Sequence, residues 1–272
     1  MAGDVSTDDS YDDFPRLEEA FGRRLDKTLT PRGPDSVWAL FAGLDPRPGG
    51  VVVDVGCGDG DDAVELARRF AVSVHGVDPV ERHGELGRKT ARAAGMSDQV
   101  RFTVGTAEAL PLRDGAADLV WSKEALMYAD LDAALSEMRR VLRAGGRGFI
   151  YQVCTGPLMA DGEASEFWQR GAAAKSVRPH DIERAITSAG FLLIDRTDFA
   201  SEWGEYAQER TGAGGRRLLH TARLLRSPDA YIDEYGEAAY NIMLADCLWH
   251  VYRMIGKLHG AAFRFRAPDN MT

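Results

Sequence analysis

A β-branched run, Val51 to Val55, breaks directly into Gly56-Cys57-Gly58-Asp59-Gly60, and Ala63, Leu66, Ala67 and Phe70 follow at i, i+3, i+4 and i+7. That is a strand, a tight turn and a helix. Glycines in such a turn let a ligand touch backbone that any Cβ would block, so a ligand is expected to lie across it. A second strand is predicted at Ser73 to Val77, then a glycine-interrupted helix ending near Gly95, then a third strand through Val100, Phe102 and Val104. Strands alternating with helices in this way build a parallel sheet.

The alternation continues. Asp118 to Ser122 reads as a fourth strand, and Leu131, Ala134, Leu135, Met138, Val141 and Leu142 mark an amphipathic helix that Gly145-Gly146 stops. Gly148 to Val153 is the fifth strand, Pro179 opens a helix with Ile182, Ala185, Ile186 and Ala189 inward, and Phe191 to Ile194 is the sixth. Beyond Phe199 the pattern turns helical. Leu218, Leu219, Ala222 and Leu225 mark one expected helical segment before Pro228; Tyr240, Leu244, Cys247, Val251 and Ile255 lie on one face of a longer one; and Ala262 to Arg266 returns to alternation as a final edge strand. At the other end, Phe14, Leu17, Phe21 and Leu25, then Val37, Leu40, Phe41 and Leu44, predict two short helices.

Acidic residues outnumber basic ones, 42 to 33, for a net charge of -9, which repels nucleic-acid backbones and anionic membrane surfaces. Cys57, Cys154 and Cys247 are too scattered for a disulfide framework or a zinc site, so no metal is expected and a reducing cytoplasm fits. No apolar stretch approaches the roughly 20 residues of a membrane span.

Asp78 follows Gly60 by 18 residues at the end of the second strand, the place from which a carboxylate can accept bonds from both ribose hydroxyls. Turn and carboxylate together indicate an adenosine-like ligand. Dinucleotides use such a site too, but a pyrophosphate wants a helix N-terminus free of competing negative charge, and Asp59, Asp61 and Asp62 crowd this one. The glycine spacing G-x-G-x-G also departs from the dinucleotide G-x-G-x-x-G. A ligand carrying a sulfonium and an ammonium suits these carboxylates better.

With these residues the chain resembles the class I S-adenosylmethionine-dependent methyltransferases of small-molecule type, over about residues 51–199. Further matches follow in the family's order: Gly105 to Pro111 resembles its adenine segment, Asp118 to Ser122 its fourth strand, and Leu142 to Gly146 its turn before strand five. The resemblance implies an α/β, Rossmann-like, doubly wound and mostly parallel seven-stranded sheet with a helical cap and N-terminal helices. It implies S-adenosyl-L-methionine as cofactor, with Asp54, Gly56, Cys57 and Gly58 near the methionyl part, Asp78 on the ribose, and Thr106, Ala107 and Glu108 around the adenine. Ser122 and Lys123 at the end of strand four, and Tyr11 as part of a lid, complete the expected cofactor shell. Thr106 stands where the family has an acidic or amide residue, so backbone or Glu108 is left to meet the adenine edge.

Methyl transfer is an in-line displacement, so the main task of the protein is to hold the acceptor close and aligned. Where the acceptor must shed a proton, Glu124 is the candidate base, with His180 and His250 in reserve; a structural carboxylate is an equal reading of Glu124. Tyr128 replaces a frequent family histidine. Tyr128, Trp168, Trp203 and Trp249 are expected to face a small, apolar or aromatic, natural-product-like acceptor, because segments inserted after strands five and six lie over the sheet's carboxyl edge. The expected organisation is an N-terminal helical lid at 1–48, a cofactor core at 49–199 with a cap insertion at 155–176, an acceptor-binding cap at 200–260, and an edge strand and tail at 261–272. Monomer and homodimer both remain open, as do non-methylating catalysis such as cyclisation and a non-catalytic binding module.

Overall fold

The computed structural model describes residues 7–28, 31–171 and 174–269. One seven-stranded sheet runs in the order β3 (Val100–Val104), β2 (Ser73–Asp78), β1 (Val51–Val55), β4 (Ala117–Lys123), β5 (Leu142–Thr155), β7 (Leu258–Arg266) and β6 (Leu192–Ala200). Neighbours from β3 to β5 are parallel, and β7 is antiparallel to both β5 and β6. The crossovers are α3 (Asp61–Phe70), α4 (Glu81–Ala93), α5 (Leu131–Val141) and α7 (Pro179–Ser188). Winding reverses between β1 and β4. That reversal opens a crevice beyond their carboxyl ends.

β7 is not the edge strand expected from the sequence: it is inserted between β5 and β6, and β6 forms the edge. Its consecutive Ala261, Ala262 and Phe263 are all buried, as a strand covered on both faces requires. The true edge is charged instead, with Asp195 held by Arg264 and Arg196 held by Asp198 and Glu183.

At the N-terminus, α1 (Thr7–Thr28) is long rather than short, and Phe14, Leu17, Phe21 and Leu25 are exposed on it. The second helix, α2 (Pro34–Ala42), is a layer of the core and not lid: Trp38 stacks on Trp121 at 4.8 Å, and Phe41 meets Trp121 edge-on at 5.1 Å. Tyr11's side chain lies outside the described residues, as do residues 1–6 of the expected lid.

The remaining helices, α6 (Asp161–Arg170), α8 (Glu202–Thr211), α9 (Ala213–Arg226) and α10 (Pro228–Tyr235), all pack on α11 (Glu237–Met254). α9 is helical as its spacing predicts. Leu218, Leu219, Ala222 and Leu225 face solvent, while Gly214, Thr221 and Leu224 pack inward against α11.

Of the two glycines that interrupt α4, Gly84 and Gly87, the second has a packing cause. Phe102 occupies a slot cut by Gly60, Gly76 and Gly87, and a Cβ on Gly87 would come within 2.6 Å of its ring. Gly→Ala inside a helix ordinarily gains about 0.5–1 kcal/mol. Here Gly87→Ala is expected to lower the melting temperature, and a Phe102→Leu background to remove the penalty. A melting temperature for Gly87→Ala equal to or above that of the parent would refute this account of α4.

Candidate functional site

The site is built on two turns that touch. Gly56 (φ +77), Gly58 (φ +49) and Gly60 (φ +81) are all left-handed, and a Cβ on Gly56 would overlap the methyl group of Ala125 in the turn after β4. The N–H groups of Gly56 and Cys57 both donate to the Val77 carbonyl, at 2.8 and 3.1 Å, which pins the first turn to β2. Gly58 looks onto open space. Its N–H donates to Asp78 Oδ2 at 3.0 Å, while Asp78 Oδ1 accepts from the Val80 N–H and lies 2.9 Å from His83 Nδ1. Asp78 therefore shapes the glycine turn as well as pointing a carboxylate at it. His83, in the first turn of α4, was invisible to motif reading.

Negative charge gathers beneath the turn. Asp54 is buried with Oδ2 lacking any hydrogen-bond partner; burial pushes its carboxyl well above the usual range, Asp62 and Asp78 push the same way, and Lys123 opposes them. Lys123 is held by Asp62 at 2.8 Å. The orphaned carboxylate, the open glycine and the acidic surround fit a cationic adenosyl amino acid and oppose a pyrophosphate. Two expected contacts are spent elsewhere. Ser122 is buried and donates to the Val55 carbonyl at 3.0 Å, and the Cys57 thiol packs under Gly76 with its pKa raised by burial.

In the segment expected at the adenine, Thr106 is exposed and Ala107 packs on the core. Glu108 accepts the Asp130 N–H at 2.8 Å. Burial raises its carboxyl, but this bond and one from Thr106 outweigh it and hold it below the usual range. Glu108 thus ties the segment to the start of α5.

On the other side of the seam lies a cavity of about 310 Å³, lined by Glu124, Tyr128, Phe167, Trp168, Trp249 and Asp246 among others. The structure thus brings Glu124, Tyr128, Trp168 and Trp249 together around one cavity. Trp168 is fixed by an Nε1–H bond to Thr155 Oγ1 at 2.9 Å, and Phe167 and Trp249 stack at 6.5 Å. Glu124 is a non-glycine residue at φ +56, its N–H held by the Tyr151 carbonyl at 2.8 Å and its carboxylate 3.6 Å from Arg253.

Trp203 does not line this cavity. It packs on Tyr151 at 4.6 Å and under the Arg253 guanidinium at 5.6 Å, so it anchors α8 to the core of the sheet. His180 sits exposed at the start of α7 beside its neighbour Asp181. His250 lies on α11, 3.9 Å from Asp246, its pKa lowered by burial against the pull of that carboxylate. Neither histidine lines the cavity. Asp246 and Arg253, which do reach the cleft or its glutamate, come from a helix that shows no motif.

A raised carboxyl pKa favours the protonated form, so the stability that Asp54 contributes is present below its unfolded value, about 3.9, and is lost as pH rises through its folded value. Asp54→Asn should accordingly melt higher than the parent at neutral pH, converge with it near pH 4, and lose most of the melting-point rise that S-adenosylmethionine gives the parent. Parallel pH–melting curves for the two proteins would show that Asp54 is not the strained group.

Comparison with known proteins places these features. A family model described as a methyltransferase domain matches residues 52–146, from β1 to the turn inside β5. The chain is 32% identical over 167 residues to the methyltransferase GfsG of Streptomyces halstedii, spanning 60% of this chain and 60% of that protein's length. It is 31% identical over 219 residues to 27-O-demethylrifamycin SV methyltransferase of Amycolatopsis mediterranei, covering 77% of this chain and 75% of that one. Among solved structures, the [4+2]-cyclase SpnF superposes with a TM-score of 0.67 at 24% identity over 87% of this chain and 82% of its own, a likeness of fold. The chain belongs to the S-adenosylmethionine-dependent methyltransferases.

Proposed function

We propose that the chain transfers a methyl group from S-adenosylmethionine to an oxygen, nitrogen or carbon of a small, largely apolar or aromatic acceptor. The observation that carries this reading is the aromatic cavity with Glu124 in its wall, the residue next in sequence to the Ala125 that abuts Gly56 of the glycine turn. Bound there, the cofactor supplies an electrophilic methyl. The protein's own part is placement: Asp78 and the glycine turn hold the adenosyl end, Thr106 to Glu108 flank the adenine, and Asp54 with the Lys123–Asp62 pair faces the amino-acid end. The residues after β4 and helices α6 and α11 hold the acceptor out of water.

Glu124 is the proton acceptor of this proposal where the acceptor bears an acidic X–H. It lines the cavity, and Arg253 steadies its carboxylate from behind. His180 and His250, which do not line the cavity, are no longer needed as bases. The scheme takes a cofactor core at 49–199 and an acceptor-binding cap in which α6 and α11 line the cavity, and it assigns α1 no part in the reaction.

Incubation with methyl-labelled S-adenosylmethionine and a metabolite extract should move label into one small molecule and release the demethylated cofactor. Product formation with the label still on intact cofactor would instead support a non-methylating reaction, and cofactor binding with no product at all a binding module.

Trp168→Leu and Trp249→Leu should leave cofactor affinity within about threefold while raising the acceptor's KM roughly tenfold. Trp203→Leu should lower the melting temperature more than it changes KM. Unchanged acceptor constants in folded Trp168 and Trp249 variants would remove the cavity from the reaction.

A further inference from the structure

α9 carries a cationic row that no acidic side chain among the described residues meets. Arg216, His220 and Arg223 fall at i, i+4 and i+7 on one line of the helix, and among the described residues none of the three forms a side-chain hydrogen bond or ion pair. The helix has four arginines and no acidic residue in a chain of net charge -9. Among the described residues, Arg217 is the arginine of this helix that forms an ion pair, with Asp246 at 2.8 Å.

Apolar surface borders the row on both sides. Outward lie Leu218, Leu219 and Leu225, exposed by 48%, 60% and 59%. Inward, His220 and Arg223 form the rim of a groove of about 440 Å³ between α9, α10 and α11, floored by Leu224, Tyr231, Tyr240 and Met243. Contiguous apolar surface under an unpaired cationic rim fits an amphipathic helix with acidic flanks and a large apolar anchor.

The chain itself contains such a helix. α1 exposes Phe14, Leu17 and Phe21 at i, i+3 and i+7, with Phe14 62% and Phe21 63% exposed, and Glu18 lies between them in the sequence. From Thr7 to Glu19 it holds six acidic residues against one basic. Charge selects the pairing. Two α9 faces brought together would oppose like charges, whereas α1 against α9 joins opposite ones.

We infer that α1 of one copy docks on α9 of a second copy, its acidic half along Arg216, His220 and Arg223 and a phenylalanine in the groove beside Tyr231 and Tyr240. A two-fold exchange of α1 satisfies both copies at once. It also reaches the acceptor side: α11 turns Tyr240 and Met243 to the groove and Asp246 and Trp249 to the acceptor cavity.

The test is sedimentation velocity of the full chain over a wide concentration range. The parent should sediment as a species of twice the single-chain mass. Phe14→Glu with Phe21→Glu, and separately Arg216→Glu with Arg223→Glu, should each weaken association at least tenfold, about 1.4 kcal/mol or more, with unchanged circular dichroism. A mixture of the two variants should recover a dimer, because the arginine variant keeps an intact α1 and the phenylalanine variant an intact α9. A monomeric parent, a dimer surviving either pair of substitutions, or a mixture that stays monomeric would each overturn the inference.

Discussion

The methyl group of Ala125 occupies the space that a side chain on residue 56 would need, and both halves of the site depend on that contact. Gly56 ends β1 and begins the cofactor turn; Ala125 follows β4 and begins the acceptor wall. Their approach requires a left-handed glycine on one side and a left-handed Glu124 on the other, at φ +77 and +56. A non-glycine residue in that region costs roughly 1–2 kcal/mol. Buried bonds hold it there: Glu124 N–H to Tyr151 O, and Leu126 N–H to Gln152 Oε1 at 3.1 Å. The kink that seals the seam is also the one that places the Glu124 carboxylate in the cavity wall.

Below the seam the protein supplies stiffness and takes on electrostatic cost. Trp38, Trp121 and Phe149 stack at 4.8 and 4.9 Å, a continuous aromatic column between α2 and the centre of the sheet. Directly beside it Asp54 is buried without a full set of partners. A rigid floor makes the second feature tolerable, because the carboxylate cannot relax toward water and keeps its interaction free energy for a cationic ligand.

The cofactor half was legible because its constraints are local. A glycine needed for φ or for close approach, and a carboxylate a fixed distance beyond it, are short-range signatures, so the first strand, its turn and Asp78 stand where sequence puts them. Side-chain roles were less legible. Ser122 and Cys57 sit at expected positions but point into the sheet, and strand direction at a bend is not written in a motif. The cap was read least well. The stripe of Leu218, Leu219, Ala222 and Leu225 has helical spacing, but spacing names a face and not its partner, and here the inward face is Gly214, Thr221 and Leu224. β7 was misplaced because its position depends on the antiparallel return from α11, a long-range pairing.

α11 ties the aromatic cavity to the rest of the helical layer. Gly204 lets α8 approach so closely that a Cβ there would lie 2.6 Å from the backbone of Arg253 and Met254, and this contact delivers Arg253 to Glu124. One turn or so earlier the same helix offers Trp249 and Asp246 to the cavity, the latter tied to α9 through Arg217. None of these residues touches the glycine turn. Changes in α8, α9 and α11 can therefore reshape the cavity wall while Gly56, Asp78 and Asp54 stay under the separate constraints of β1 and β2. That separation follows from topology: the cofactor turn is closed by residues near it in sequence, the acceptor wall by a helix more than a hundred residues away.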